Sequence, residues 1–259
     1  MDIPSGSVHL KAFLWRPPGR GPFPAVLFNH GSGGANAGET AGMPITEAAQ
    51  RLAPLFVGHG YAFLHLFRRG QGLSADQAPF MRDVLERERL ADGDEARLHL
   101  QFILLTTEQL DDVMAALAFL KRNPGIDARR IAVVGNSFGG QLTLLAAGDP
   151  SVRAAVTFAA AAGSWGRSPE LRERLLGAVH STSAAVMLVQ AENDYSTEPS
   201  RALGAEMERL GKPHLVRIYP PVGKTSEDGH NVLYEAIPVW QGDVFGFLDA
   251  SLRPLPRNP

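Results

Sequence analysis

Cysteine is absent from all 259 positions. A disulfide framework, a thiolate nucleophile and a zinc–thiolate site are therefore unavailable to this chain, and no metal or organic cofactor is expected from its motifs. A surplus of either charge is absent too: 25 Lys and Arg stand against 27 Asp and Glu, a formal net charge of −2. So balanced a chain has little with which to attract polyanions, and nucleic acid is not an expected partner. No stretch approaches the roughly 20 apolar residues of a membrane span. Residues 1–21 carry Asp2, Lys11 and Arg16 among prolines and glycines, without the basic start and apolar centre of a secretion signal. A cytoplasmic protein, with no membrane partner, is the expectation. Internal repeats, linkers and breaks in composition are also lacking. Residues 1–259 are read as one domain, long enough to bury a core on both faces of a sheet.

Residues 131–140 read Ile-Ala-Val-Val-Gly-Asn-Ser-Phe-Gly-Gly. A β-branched run breaks into Gly-x-Ser-x-Gly and then into a helix-forming stretch, which is the pattern of a nucleophile elbow with Ser137 at its tip. Gly135 and Gly139 remove side chains that would clash in so tight a turn. Two rival readings fail on single residues. A phosphate-binding loop needs Lys and then Ser or Thr after the second glycine, where Gln141 and Leu142 stand. A dinucleotide fingerprint at 31–36 needs a third small residue where Asn36 stands. The plain alternative is a polar turn residue, and the strand before with the helix after decides against it.

Apolar runs alternate with helical periodicity along the chain. Strands are expected at 8–15, 24–29, 61–67, 131–134, 154–160, 185–190 and 215–219, with an edge hairpin turning through the prolines and glycines at 17–22. Helices are expected near 47–57, at 107–122, behind the elbow, at 169–178 and 201–210, and from about His230, where Pro238 should kink or interrupt the last one. Strands separated by helices imply an α/β fold: a mostly parallel sheet with right-handed crossovers and helices on both faces. Ligands then gather at the carboxyl ends of the strands. Residues 74–106 interrupt the alternation, highly charged over 82–97 and apolar over 98–105. They read as a helical insertion covering the site, against an extra structural helical pair.

A serine hydroxyl needs a positioned base. Of eight histidines, His230 alone sits in a polar loop after a late strand and before the last helix. His9, His65 and His214 lie in or beside strands, and His59, His99 and His180 on or near helices. The base needs an acceptor on its other nitrogen. Asp194 follows the strand at 185–190 and completes the order serine, acid, histidine, with Glu192 and Asp228 as competitors. Asp194 could instead cap the helix beginning after Thr197.

Gly-Asn-Ser-Phe-Gly-Gly at 135–140, Asn193-Asp194 and Gly229-His230, in that order, resemble the α/β-hydrolase superfamily. Pro-Ala-Val-Leu-Phe-Asn-His-Gly-Ser-Gly-Gly at 24–34 resembles its dienelactone hydrolase and prolyl-oligopeptidase-like branch, and the likeness runs from about Val8 to the end of the chain. Dienelactone hydrolases use a cysteine nucleophile, which this chain lacks, so their activity does not transfer by name. The resemblance implies an oxyanion hole formed by the backbone N–H groups of Phe138 and Ser32, with Gly33 the alternative to Ser32 and His30 a hydrogen-bonding residue of the loop.

These parts imply a serine hydrolase acting on carboxylic esters of short or medium acyl chain through an acyl-enzyme. A lactonase, a dienelactone-hydrolase-like activity, a perhydrolase and a small-molecule receptor that no longer turns over share the same residues. Phe80, Phe102, Trp165 and Tyr195 lie in segments able to reach the pocket, although aromatic residues at such positions are more often core or lid packing than readers of an acyl chain. Arg68 and Arg69 could meet an acidic substrate group or tie loops together. Oligomeric state is not encoded in any motif.

Overall fold

The computed structural model describes residues 1–32 and 43–253, with the side chains of 43–46 not described. Strands β1 (Asp2–Ser5), β2 (Val8–Trp15), β3 (Phe23–Asn29), β4 (Ala62–Leu66), β5 (Ile126–Asn136), β6 (Val152–Phe158), β7 (Ala185–Ala191) and β8 (His214–Tyr219) form one sheet in the order β1-β2-β4-β3-β5-β6-β7-β8. Pairing is antiparallel at β1–β2 and β2–β4 and parallel from β4 onward. The helices are α1 (Met43–Gly58), α2 (Met81–Thr106), α3 (Glu108–Arg122), α4 (Phe138–Ala146), α5 (Pro169–Ser181), α6 (Glu198–Arg209), α7 (Ser226–His230), α8 (Val232–Glu235) and α9 (Ile237–Ser251). This is the α/β-hydrolase fold. No helix among the described residues is long and apolar enough to cross a membrane.

Period-two alternation divides each central strand between two cores. Ala25 and Leu27 of β3, Ile131 and Val133 of β5, and Val186 and Leu188 of β7 pack with α3, α4, α5 and α6. Val26 and Phe28, Ala132 and Val134, and Met187 and Val189 face the other way, against Leu52 and Phe56 of α1 and Trp240, Val244 and Leu248 of α9. A strand buried on both faces reads as a continuous apolar run, which is why these segments stand out in the sequence.

The order β4-β3-β5 matters most for function. The chain leaves β3 for β4 on one side, then crosses back over β3 to lay β5 on the other, so the crossovers diverge beside β3. A crevice opens at such a reversal, beyond the carboxyl ends of the strands. The loop after β3 and the turn after β5 are consequently neighbours: a Cβ built on Gly31 would lie 3.6 Å from the Ser137 Cβ.

One expectation is corrected. The edge hairpin does not turn at 17–22. It joins β1 to β2 through Gly6 at φ 58°, and β2 then pairs with β4. Ile3 and Ser5 of β1 are buried while Asp2 and Pro4 are exposed, and a proline is tolerated because β1 is the edge strand. The helical stretch that begins near His230 is interrupted beside Pro238, as expected, rather than kinked at it. The helical turns of α7 and α8 end at Ala236, and Pro238 occupies the first turn of α9, where its missing N–H costs no hydrogen bond. In the 74–106 segment a 3-10 turn (Gly72–Gln77) precedes two helical stretches of α2, which meet at the non-helical Gly93 (φ 90°, ψ −178°).

Asp112 of α3, wholly buried, accepts hydrogen bonds from the Arg69 backbone N–H at 2.8 Å, from Arg69 Nη2 at 2.6 Å and from Ser5 Oγ at 2.8 Å. One carboxylate thus joins β1, the loop after β4 and α3. Removing it takes the short bonds from a largely buried guanidinium and leaves it Glu108, at 3.8 Å, as its ion-pair partner. Asp112→Ala is expected to lower stability by about 3 kcal/mol, read as a fall in the urea midpoint at unchanged m-value.

Candidate active site

Ser137 sits between β5 and α4 at φ 54°, ψ −119°, a conformation rarely adopted by residues with a Cβ and costing about 1–3 kcal/mol. Its neighbours pack too closely to carry side chains. A Cβ on Gly139 would lie 2.0 Å from the Asn29 carbonyl oxygen, and one on Gly135 2.3 Å from that of Gly139. The Ser137 N–H donates to the Phe158 carbonyl at 2.8 Å, which ties the turn to the end of β6.

The structure brings Ser137, His230 and Asp194 into one hydrogen-bonded series. Ser137 Oγ lies 2.9 Å from His230 Nε2, and His230 Nδ1 lies 2.8 Å from Asp194 Oδ1. The imidazole is 14% exposed and the carboxylate 0%, so the pair is shielded while the ring still faces the pocket. Asp194 also accepts from the Tyr195 N–H at 2.7 Å and from Gln190 Nε2 at 2.8 Å. It does not cap α6, since no side chain caps that helix at Thr197. The competing carboxylates are placed elsewhere: Glu192 is exposed, and Asp228 Oδ2 accepts from the backbone of Lys224 and Thr225, in a capping box that opens α7.

Two residues named in the sequence only as neighbours of the acid and the histidine hold those loops together. Asn193 donates to the carbonyls of Val222 and Thr225, each at 2.7 Å, and accepts from the Val222 N–H at 2.9 Å. Gly229 lets the loops touch, since a Cβ there would meet Asn193 Oδ1 at 2.6 Å and Asp194 N at 2.7 Å. The signal available was the Asn-Asp and Gly-His pairing itself. Its meaning needed the loops to be neighbours.

Phe138 opens α4, so its N–H has no acceptor within the helix, and Ser32 lines the same pocket from the loop after β3. Gly33, the alternative to Ser32, lies outside the described residues. His30 is fully buried; burial first, then the Arg68 charge, holds its imidazole well below the usual range, and a neutral ring bonded to Gly31 suits a structural part. Among the described residues, no group of three or more His, Cys, Asp or Glu side chains could hold a metal ion.

The pocket over Ser137 has a volume of about 650 Å³. One wall comes from α2, through Met81, Leu85, Arg97 and Gln101. Of the four aromatic candidates only Tyr195 reaches it. Its ring centroid lies 4.8 Å from that of His230, and its hydroxyl donates to Glu227, a bond that pushes the phenol up to about 12 and the carboxyl below its ordinary value. Trp165 is buried in the core on the α4 side of the sheet, Phe102 packs against that core, and Phe80 lies at the start of α2 outside the pocket. Neither Arg68 nor Arg69 faces the pocket, because the first is buried beneath the loop after β3 and the second is spent on Asp112. They tie loops.

Comparison with known proteins agrees with this architecture. The dienelactone hydrolase family model matches residues 10–225. A quorum-quenching protein, AidA, from Acinetobacter baumannii is 30% identical over 156 residues, which span 60% of this chain and 41% of that protein. Est1E from Butyrivibrio proteoclasticus, solved with ferulic acid bound, superposes with a TM-score of 0.67 at 17% identity, covering 98% of this chain and all of Est1E. A dienelactone hydrolase from Anabaena variabilis superposes at 0.64 and 19% identity, covering 98% and 97% of the two chains. With the strand order of an α/β hydrolase and a family match over residues 10–225, this chain belongs to the dienelactone hydrolase family.

Proposed function

We propose that the protein hydrolyses carboxylic esters through an acyl-enzyme formed on Ser137. The observation that carries this reading is the series from Ser137 Oγ through His230 to Asp194, with bonds of 2.9 and 2.8 Å, its serine and histidine lining the pocket. His230 Nε2 takes the hydroxyl proton as Ser137 attacks the acyl carbon, and Asp194 keeps the Nδ1–H tautomer and stabilises the imidazolium. The tetrahedral oxyanion meets the N–H groups of Phe138 and Ser32, the former at the positive end of α4. The carbonyl re-forms as the alcohol leaves with the proton from His230. Water then repeats the sequence on the acyl-enzyme and frees the acid.

Short and medium acyl chains suit the pocket best, since Arg97, Gln101, Gln141 and Arg167 line it and a long alkyl chain would bury such groups without partners. The segment from Met81 to Thr106 serves as a lid over a single catalytic domain. Lactones form a second reading, favoured by membership of a family named for a lactone, and the same residues would open the ring and keep the product's alcohol attached to its acyl group.

A fluorophosphonate probe should label the intact protein, with the adduct mapping to Ser137 by peptide mass spectrometry. Among p-nitrophenyl esters, kcat/KM should be highest for the acetate to octanoate range. An adduct on another residue, or preference for simple lactones over every ester, would overturn the ester reading.

A further inference from the structure

Arg68 is wholly buried, yet among the described residues it forms no ion pair. Its guanidinium is spent on neutral acceptors instead: Nη1 donates to the His30 carbonyl at 2.8 Å, Nη2 to the Gly31 carbonyl at 2.8 Å, and Nε to Gln109 Oε1 at 3.0 Å. Its Cζ also stands 5.6 Å from the centroid of the Phe138 ring. A buried charge without a counter-charge is costly unless its hydrogen bonds are well made. Burial pushes the group down to about 9, which still leaves it charged near neutrality.

We propose that Arg68 is the positioning residue of the oxyanion hole, fixing the direction of the Ser32 N–H through the peptide unit it shares with the Gly31 carbonyl. The peptide plane makes this geometric. In a trans unit the C=O and N–H point to opposite sides, and the only cis bond among the described residues is at Gly21–Pro22. Holding the Gly31 oxygen from beneath therefore aims the Ser32 N–H away from Arg68 and toward the side where the pocket lies. Gly31 adjoins Ser137, so that donor stands beside the nucleophile. His30 Nδ1 supports the same carbonyl at 2.7 Å, in the tautomer that leaves Nε2 as an acceptor. A charge-assisted bond to the oxygen also polarises the amide and strengthens its N–H as a donor. The ring of Phe138, whose own N–H is the second donor, packs on the same guanidinium. One cation thereby supports both halves of the hole without touching substrate.

This inference rests on the ester-hydrolase reading, and the test separates the two. Arg68→Lys and Arg68→Gln should lower kcat for p-nitrophenyl butyrate about 100-fold, the scale of losing one oxyanion donor, with KM changed less than about threefold because the ground-state carbonyl uses these donors weakly. Affinity for a trifluoromethyl ketone, which Ser137 converts to an oxyanionic hemiketal, should fall by the same factor as kcat/KM. Gln109→Leu, which keeps the cation and removes the acceptor of its Nε–H, should lower kcat about tenfold on the same logic. Folded Arg68 variants with the parent kcat, or with a loss confined to KM and ketone affinity unchanged, would overturn the assignment. Should the Arg68 variants not fold, an unaltered kcat in Gln109→Leu would overturn it equally. If Ser137→Ala keeps the parental turnover, the ester-hydrolase reading fails first; if Ser137→Ala is inactive and the Arg68 and Gln109 variants are normal, only this inference fails.

Discussion

Ser137→Ala is expected to lower kcat/KM for a p-nitrophenyl ester by at least about ten-thousand-fold and to abolish fluorophosphonate labelling, with little change in thermal stability. Under the proposed mechanism the activity loss follows from removing the atom that carries the acyl group, and among the described residues Ser137 Oγ is the hydrogen-bond partner of His230 Nε2. Residual turnover would come from donors and binding that remain in place. Stability should hold because alanine keeps the Cβ and leaves the backbone at φ 54°, trading one partly buried hydrogen bond for nothing larger. Ser137→Gly separates chemistry from strain. It should be as inactive as Ser137→Ala, yet more stable than the alanine variant by about 1 kcal/mol, because glycine adopts that backbone without a Cβ penalty. Calorimetry on the three proteins reads the difference. An alanine variant retaining ester turnover would place the nucleophile elsewhere.

What could be read from the chain depended on how local each cause was. The elbow was legible because its strand–turn–helix pattern is local and Gly135 is demanded by atoms a few residues away, where a Cβ would lie 2.3 Å from the Gly139 oxygen, although Gly139 itself answers to the Asn29 carbonyl of the distant β3. The doubly buried strands were legible because both faces must be apolar. β1 was missed: four residues, one of them Pro4, carry too short an alternation, and their pairing is visible only once Ile3 and Ser5 are seen to be buried. Phe102 and Trp165 pack in or against the core, the commoner fate of aromatic residues near a pocket in sequence. Arg68 shows the same limit. Nothing in Arg-Arg-Gly-Gln-Gly tells that the first guanidinium lies under a loop 38 residues earlier while the second meets Asp112 of α3.

Asp194→Asn should cost about a thousandfold to ten-thousandfold in kcat/KM, chiefly in kcat. The environment of the carboxylate explains why an isosteric amide cannot replace it. Oδ1 accepts from His230 Nδ1 and from the Tyr195 N–H, and Oδ2 accepts from Gln190 Nε2. All three neighbours are donors, so the new NH2 must face one of them. Turned toward His230, it drives the ring into the Nε2–H tautomer, which cannot take the proton of Ser137. Turned toward Gln190, it leaves the ring correctly bonded only if the Gln190 amide flips, and that flip sacrifices its 2.7 Å bond to the Ser196 carbonyl. Gln190→Glu added to Asp194→Asn supplies an acceptor for that NH2 and should recover part of the lost kcat. Activity within tenfold of the parent in the single variant would require another acid. Glu192 would have to leave solvent, and Asp228 would have to abandon the two backbone N–H groups that define the start of α7.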